Sequence, residues 1–307
     1  MRRVFLLLTA LVAGSSAPSP AAASPHGSDP VTGAPPSSQV VRDSVIRARP
    51  GDRLVLQGLS GHVVVRGGEG DEVRVSPSSS GGGGVGVVRS GDRLRITGQG
   101  PRGRLREGRL ELEVPAWLPV EMQGRRLGAR VEGLRSEVSV RNVEGDIEVR
   151  DVEGDVRLWT VEGEIRISDV RGRISARSMD ETVDMVRVGG EVEVGSTDGD
   201  LRLVDVDATR VTAETVDGDI TFDGRIRPGG TYSLITHDGD LDVSVPEDAD
   251  ARVSVSTFDG SFEAGFPITL ERFRGGREMT FTLGAGSAEL TLQAFDGEIF
   301  LGHRRSR

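Results

Sequence analysis

From Asn142 to Leu203 the chain repeats one short phrase: NVEGDIEV, DVEGDVRL, TVEGEIRI, DVRGRISA, SMDETVDM, VGGEVEV and STDGDLRL. Within a unit the apolar residues Val143, Ile147 and Val149 share one parity, and Glu144, Asp146 and Glu148 take the other. That alternation predicts a half-buried strand. Between Val149 and Val152 the parity breaks, leaving Arg150 and Asp151 between two inward residues, as a two-residue corner requires. The glycines at 145, 154, 163, 172, 190 and 199 recur every nine residues, except for one gap of eighteen in which Glu181 stands where a glycine is missing. A fixed short period predicts a stacked solenoid.

The position three before each glycine separates two kinds of unit. In one kind it is Asn142, Thr160, Ser178, Ser196, Thr215, Thr236 or Thr257; in the other it is Asp151, Asp169 or Arg187. One coil therefore holds two strands and about 18 to 21 residues. The expected fold is all-β, a two-sheeted β-solenoid with a β-helix-like stack and an irregular N-terminal β cap. Its core is predicted to contain Val143, Ile147, Val149, Ile165, Ile167, Leu201, Leu203, Ile220, Leu241 and Val243.

Outside the repeat, Met1-Arg2-Arg3, the apolar run Val4 to Ala13 and the segment ending Ala21-Ala22-Ala23 predict a secretory signal peptide over residues 1–23. The apolar run is shorter than the roughly 20 residues a membrane-spanning helix needs, so no membrane insertion is expected after cleavage. Residues 24–39, rich in Pro, Ser, Gly and Ala, read as a disordered linker. A single β-strand-repeat domain is expected over 40–301, with an irregular start at 40–120 that covers the first edge and the repeat stack at 121–301. Within that start, Ser76 to Gly84 reads as a flexible loop. The 37 residues between Gly260 and Gly297 suggest a loop insertion followed by a closing strand pair, and residues 302–307 a solvated tail.

Composition narrows the function classes. The chain has no cysteine, so disulfides cannot stabilise it and burial must. Its 38 basic residues, all arginine, face 48 acids for a net charge of −10, a balance that disfavours nucleic acid and anionic membranes as partners.

The Asp/Glu-Gly-Asp/Glu triplets could supply acid and base pairs, as in polysaccharide-cleaving enzymes. They recur at nearly every coil, however, whereas an active site appears once. No catalytic residue is therefore assigned. The acidic column Asp198, Asp200, Asp217, Asp219, Asp238 and Asp240 stacks like charges at about 4.8 Å, which oxygen-liking cations such as Ca²⁺ would relieve weakly. The calcium β-roll itself does not fit, because each unit has one glycine and three apolar residues. His237 stands where other units place Val, Phe or Thr and reads as a core-edge side chain, and Trp117 as a cover for the start of the stack. The hydroxyl column Thr160, Ser196, Thr215, Thr236 and Thr257 reads as a hydrogen-bonding interaction face beside the acids.

Three features together resemble a bacterial β-strand-repeat family of unknown function described as a putative adhesin. They are the strand before Val-Pro (Leu110 to Pro115), the Thr-x-Asp-Gly-Asp-Ile/Leu phrases (Thr215 to Phe222, Thr236 to Val243), and the closing GSAELTLQAFDGEIFL. The resemblance spans Val40 to Leu301 and implies a β-helix-like fold and an exported protein, periplasmic, on the cell surface or secreted. It supplies no catalytic residues. The expected function is a non-catalytic envelope interaction or scaffold module with an unknown envelope protein or polymer as partner. An extracytoplasmic sensor or regulatory module is the alternative, and a carbohydrate-active β-helix enzyme a more distant one.

Overall fold

The structure, a computed structural model, describes residues 40–41, 44–78, 84–99, 108–274 and 277–304. The signal-peptide and linker expectations lie outside these residues. The N-terminal part contains β1 (Val40–Val41), β2 (Ser44–Arg47), β3 (Arg53–Gly68), β4 (Glu72–Ser78), β5 (Gly84–Ser90), β6 (Arg93–Gln99) and β7 (Gly108–Pro115). The stack follows as β8 (Val120–Leu134), β9 (Val138–Arg141), β10 (Ile147–Glu153), β11 (Val156–Trp159), β12 (Ile165–Arg177), β13 (Val183–Gly195), β14 (Leu201–Asp217), β15 (Ile220–Gly224), β16 (Thr231–Asp238) and β17 (Leu241–Val245). It closes with β18 (Ala251–Ala264), β19 (Leu270–Arg274), β20 (Glu278–Leu283) and β21 (Ala288–His303). These strands join in one hydrogen-bonded sheet that coils around the core.

The coil is a β-solenoid turn of the predicted length. Ala129, Ile147, Ile165, Val183 and Leu201 pair in sequence at steps of 18 residues. The step then grows to 19 at Ile220 and 21 at Leu241. On the opposite face Val120, Val138, Val156, Ile174, Val192, Val211 and Tyr232 form the matching ladder. Both ladders are fully buried, and each Val, Ile or Leu so placed contributes about 1.5–3 kcal/mol. The first extra residue is Thr209, bulged where the register slips beyond Gly190. The next lengthening precedes Tyr232, whose buried hydroxyl donates to the Ala208 carbonyl at 2.8 Å and accepts the Arg227 N–H at 2.7 Å.

The two corners of a coil are built differently. At one, Asp151, Asp169, Arg187 and Asp205 each adopt φ of 50° to 58°. This left-handed residue resets the parity, so that Val149 and Val152 both point inward while Arg150 and Asp151 are exposed, as expected. A short third side, one buried residue deep, runs through Val152, Val170 and Val188.

At the other corner, Thr160 is buried, Val161 and Glu162 turn outward, and Ile165 re-enters the core. The same holds one coil earlier, which corrects the core assignment of Val143. That side chain is half-buried on the outer corner, while every other predicted core residue is buried. The glycine here is needed for space as well as φ: a Cβ on Gly163 (φ 154°) would lie 2.3 Å from the Gly145 carbonyl oxygen of the preceding coil.

Strand order in space departs from strand order in sequence at both ends. β3 lies between β8 on one side and β6 and β7 on the other. β21 lies between β18 on one side and β16 and β17 on the other. Antiparallel strands then cover the exposed rungs: β4 on β7 and β5 on β6 at the start, β20 on β18 and β19 on β20 at the finish. The interval after Gly260 is therefore an antiparallel cap, and the final strand is an inserted rung. Two further expectations are corrected here. Of the expected loop from Ser76 to Gly84, Ser76 to Ser78 belong to β4 and Gly84 opens β5, and residues 79–83 lie outside the described residues. The tail is docked as far as Arg304, whose N–H bonds Val245 and whose guanidinium pairs with Asp205 and Asp223.

Candidate functional site: the acidic and apolar corner

The Thr-x-Asp-Gly-Asp corner stacks five positions into five columns. The first is the hydroxyl column, and its expected role as a surface is corrected by the structure. Thr160, Thr215, Thr236 and Thr257 are buried and Ser196 is half-buried. Thr236 donates to the Gly218 carbonyl at 2.9 Å and Thr215 to that of Gly199 at 3.1 Å. Ser196 accepts the Gly199 N–H at 3.0 Å. At the first coil Asn142 donates to Leu127, Glu144 and Gly145 carbonyls. A corner interrupts the sheet ladder, and its freed carbonyls need donors from inside. Small polar side chains supply them, except that the Thr160 hydroxyl has no partner among the described residues.

The acids divide into two columns with different roles. After each glycine, Asp146, Asp200, Asp219 and Asp240 accept the backbone N–H of the next coil, from Glu164, Asp219, Asp240 and Glu298 at 3.0, 2.9, 2.8 and 2.7 Å. These carboxylates stitch coil to coil. One position before the glycine, or before Glu181 where the glycine is missing, Glu162, Asp180, Asp198, Asp217, Asp238, Asp296 and Asp259 are exposed and form no ion pair or side-chain hydrogen bond among the described residues, whereas Glu144 at the head of the column pairs with Arg126 at 2.7 Å. On the face outside Ile147, by contrast, Arg130, Glu148, Arg166, Asp184 and Arg202 alternate in sign along the stack. Among the described residues no group of three or more acids or histidines is placed to hold a metal ion, and the six aspartates of the expected cation column lie two to a rung on three successive rungs.

Beside the unpaired acids runs a column that includes Val143, expected in the core, and His237, expected at its edge. In spatial order it holds Val143, Val161, Met179, Thr197, Val216, His237, Phe295 and Phe258. Of the nine large hydrophobic residues exposed among the described residues, four stand in it: Met179 (42%), Val216 (52%), Phe295 (45%) and Phe258 (49%). His237 is exposed and stacks on Phe295 with centroids 4.6 Å apart, and Phe295 stacks on Phe258 at 4.6 Å. Arg277 caps the outer face of Phe258, 3.9 Å from its centroid. The direction of this column follows from that of the hydroxyl column, because an inward Thr three before the glycine turns the next residue outward. Trp117 donates its indole N–H to the Gly70 carbonyl at 3.3 Å and pins the turn beyond β3.

A stack of such coils, covered at both ends by antiparallel strands, defines an all-β domain of the β-solenoid class. The chain matches the family described as Toastrack DUF4097 over residues 52–301 and belongs to it. That agrees with the resemblance carried by Leu110 to Pro115, the repeated corners and the closing strand. Among curated proteins none matches. Among solved structures the chain is similar to a putative cell adhesion protein from Clostridium sporogenes ATCC 15579, at 12% identity and TM-score 0.25 over 85% of this chain and 99% of that one. It is also similar to a putative adhesin from Parabacteroides distasonis ATCC 8503, at 11% identity and TM-score 0.31 over 87% and 98%. Among the described residues no helix is long and apolar enough to cross a membrane.

Proposed function

We propose that this chain is an exported, non-catalytic interaction module that holds a protein partner of the cell envelope along its acidic corner. The observation that carries this reading is the unpaired acid column running in register beside the exposed apolar column. On the face outside Ile147 the charges alternate in sign, whereas on this corner seven acids from Glu162 to Asp259 follow one another along the stack without an arginine between them. A contiguous exposed apolar track is the usual mark of a contact surface. A solenoid repeats the same outward positions at every coil, which lets one partner be read over several rungs.

The test reverses Asp217, Asp238 and Asp296 to Arg, because their carboxylates make no internal bonds, and leaves Asp219 and Asp240 intact, because theirs stitch the coils. Cross-linking of the mature protein in its native envelope should lose its adduct in the triple variant while the melting temperature stays within a few degrees. Unchanged cross-linking refutes the reading. Turnover of a glycan that vanishes on mutating one carboxylate pair would replace it with the enzyme.

A further inference from the structure

Resting on that reading, we infer that the apolar column from Met179 to Phe258 is a seat for one amphipathic helix of a protein partner, basic along one border. Three observations select this occupant.

The first is ring orientation. His237, Phe295 and Phe258 stack face to face, with interplanar angles of 14° and 6°, and Arg277 covers the outer face of Phe258, so both faces of each phenylalanine are occupied. Solvent therefore meets ring edges. A sugar needs an aromatic face to lie on, whereas aliphatic side chains pack against edges as well as faces.

The second is pitch. The column has six rungs from Met179 through Thr197, Val216, His237 and Phe295 to Phe258, a length of about 24 Å at strand spacing. Successive turns of an α-helix recur every ~5.4 Å, which drifts only about 0.6 Å per rung against the ~4.8 Å ladder. Same-side residues of an extended strand recur every ~6.8 Å and lose register at the first rung. A helix of about 16 residues spans the column.

The third is charge. Asp198, Asp217, Asp238, Asp296 and Asp259 lie unpaired along one border of the column. The other border, Gly195, Glu214, Ile235, Gln293 and Ser256, is nearly neutral. Lys or Arg on one side of the helix would neutralise the first border, and small or polar residues would suit the second. The same charge repels an anionic lipid surface.

The probe is a fluorescein-labelled leucine-lysine peptide of about 16 residues, with leucines at helical spacing and lysines along one border, titrated against the mature full chain by anisotropy. Binding should weaken at least ten-fold in the Phe258→Ser, Phe295→Ser double variant and fall with added salt. Because the phenylalanines also hold the cap rungs together, Val216→Arg serves as a second variant. It places a cation in the middle of the column without removing buried packing and should cause the same loss. A peptide of identical composition in strict alternation should bind at least ten-fold more weakly. Equal binding of the two peptides, unchanged binding by both variants, or preference for phosphatidylglycerol vesicles would overturn the inference. If the peptide fails while envelope cross-linking still depends on Asp217 and Asp238, the helix falls and the acidic-corner reading stands; failure of both removes both.

Discussion

Replacing Gly163 with Ala tests the corner most directly. The added Cβ would lie 2.3 Å from the Gly145 oxygen, 2.6 Å from its carbonyl carbon and 3.2 Å from the Asp146 nitrogen. Relief requires a shift of about 1 Å to reach ordinary contact near ~3.4 Å. Two rung bonds resist it, Gly145 N–H to Glu162 O at 2.7 Å and Glu164 N–H to the Asp146 carboxylate at 3.0 Å. Holding Ala at φ 154° costs about 1–3 kcal/mol, and weakening two hydrogen bonds costs about 0.5–1.5 kcal/mol each. The sum is about 2–6 kcal/mol, which lowers the melting temperature by about 2–4 °C per kcal/mol in a domain of this size. Gly195 is the control. Its φ lies outside the left-handed region and its Cβ would meet the Glu214 oxygen at 3.3 Å, so Gly195→Ala should change stability by less than about 1 kcal/mol. Urea and thermal unfolding followed by circular dichroism measure both. A Gly163→Ala protein that melts with the wild type, or a Gly195→Ala protein equally damaged, would refute the close-approach argument.

Thr236→Val, nearly isosteric, should cost about 1 kcal/mol through the lost bond to Gly218 and leave envelope cross-linking unchanged; altered cross-linking without a stability loss would return the hydroxyls to the surface. Asp219→Asn should lower stability, measured by urea unfolding, more than Asp217→Asn, since only Asp219 accepts the next coil's N–H, at 2.8 Å. Asp52 predicts an acid effect at the N-terminal cap. Burial opposes its ionised form, but the Arg49 N–H and the Arg89 guanidinium outweigh it and hold its pKa below the usual carboxylate value. Because the folded pKa is the lower one, this contribution is complete above the unfolded value of about 3.9 and is lost as pH falls through the folded value. Unfolding free energy measured from pH 6 downward should therefore drop below about pH 4 more steeply in the wild type than in Asp52→Asn, and parallel curves would exclude Asp52 as a source.

Much of the architecture is written in one dimension. Strand parity, the nine-residue glycine spacing and the two kinds of unit are local properties, so Ile147, Ile165, Leu201 and Ile220 could be placed in the core from their neighbours alone. The same rule failed at Val143 because parity holds only along a straight strand and each corner resets it. The hydroxyl column was legible as a column, yet its direction was not, since an inward and an outward threonine leave the same periodic trace. Tertiary structure alone separated the two acid columns. Asp217 and Asp219 are two residues apart and chemically identical, and only the neighbouring coil's Asp240 N–H tells them apart. It also decided the order of the last rungs. The rung made of β16 and β17 and the rung made of β18 offer nearly equivalent edges, and β21 matches both, pairing Asp296 with Asp238 of β16 on one side and Asp259 of β18 on the other. A repeat makes every rung an acceptable neighbour for every other. Which one it meets is set by packing across the whole stack, where His237, Phe295 and Phe258 come together from three segments distant in the chain.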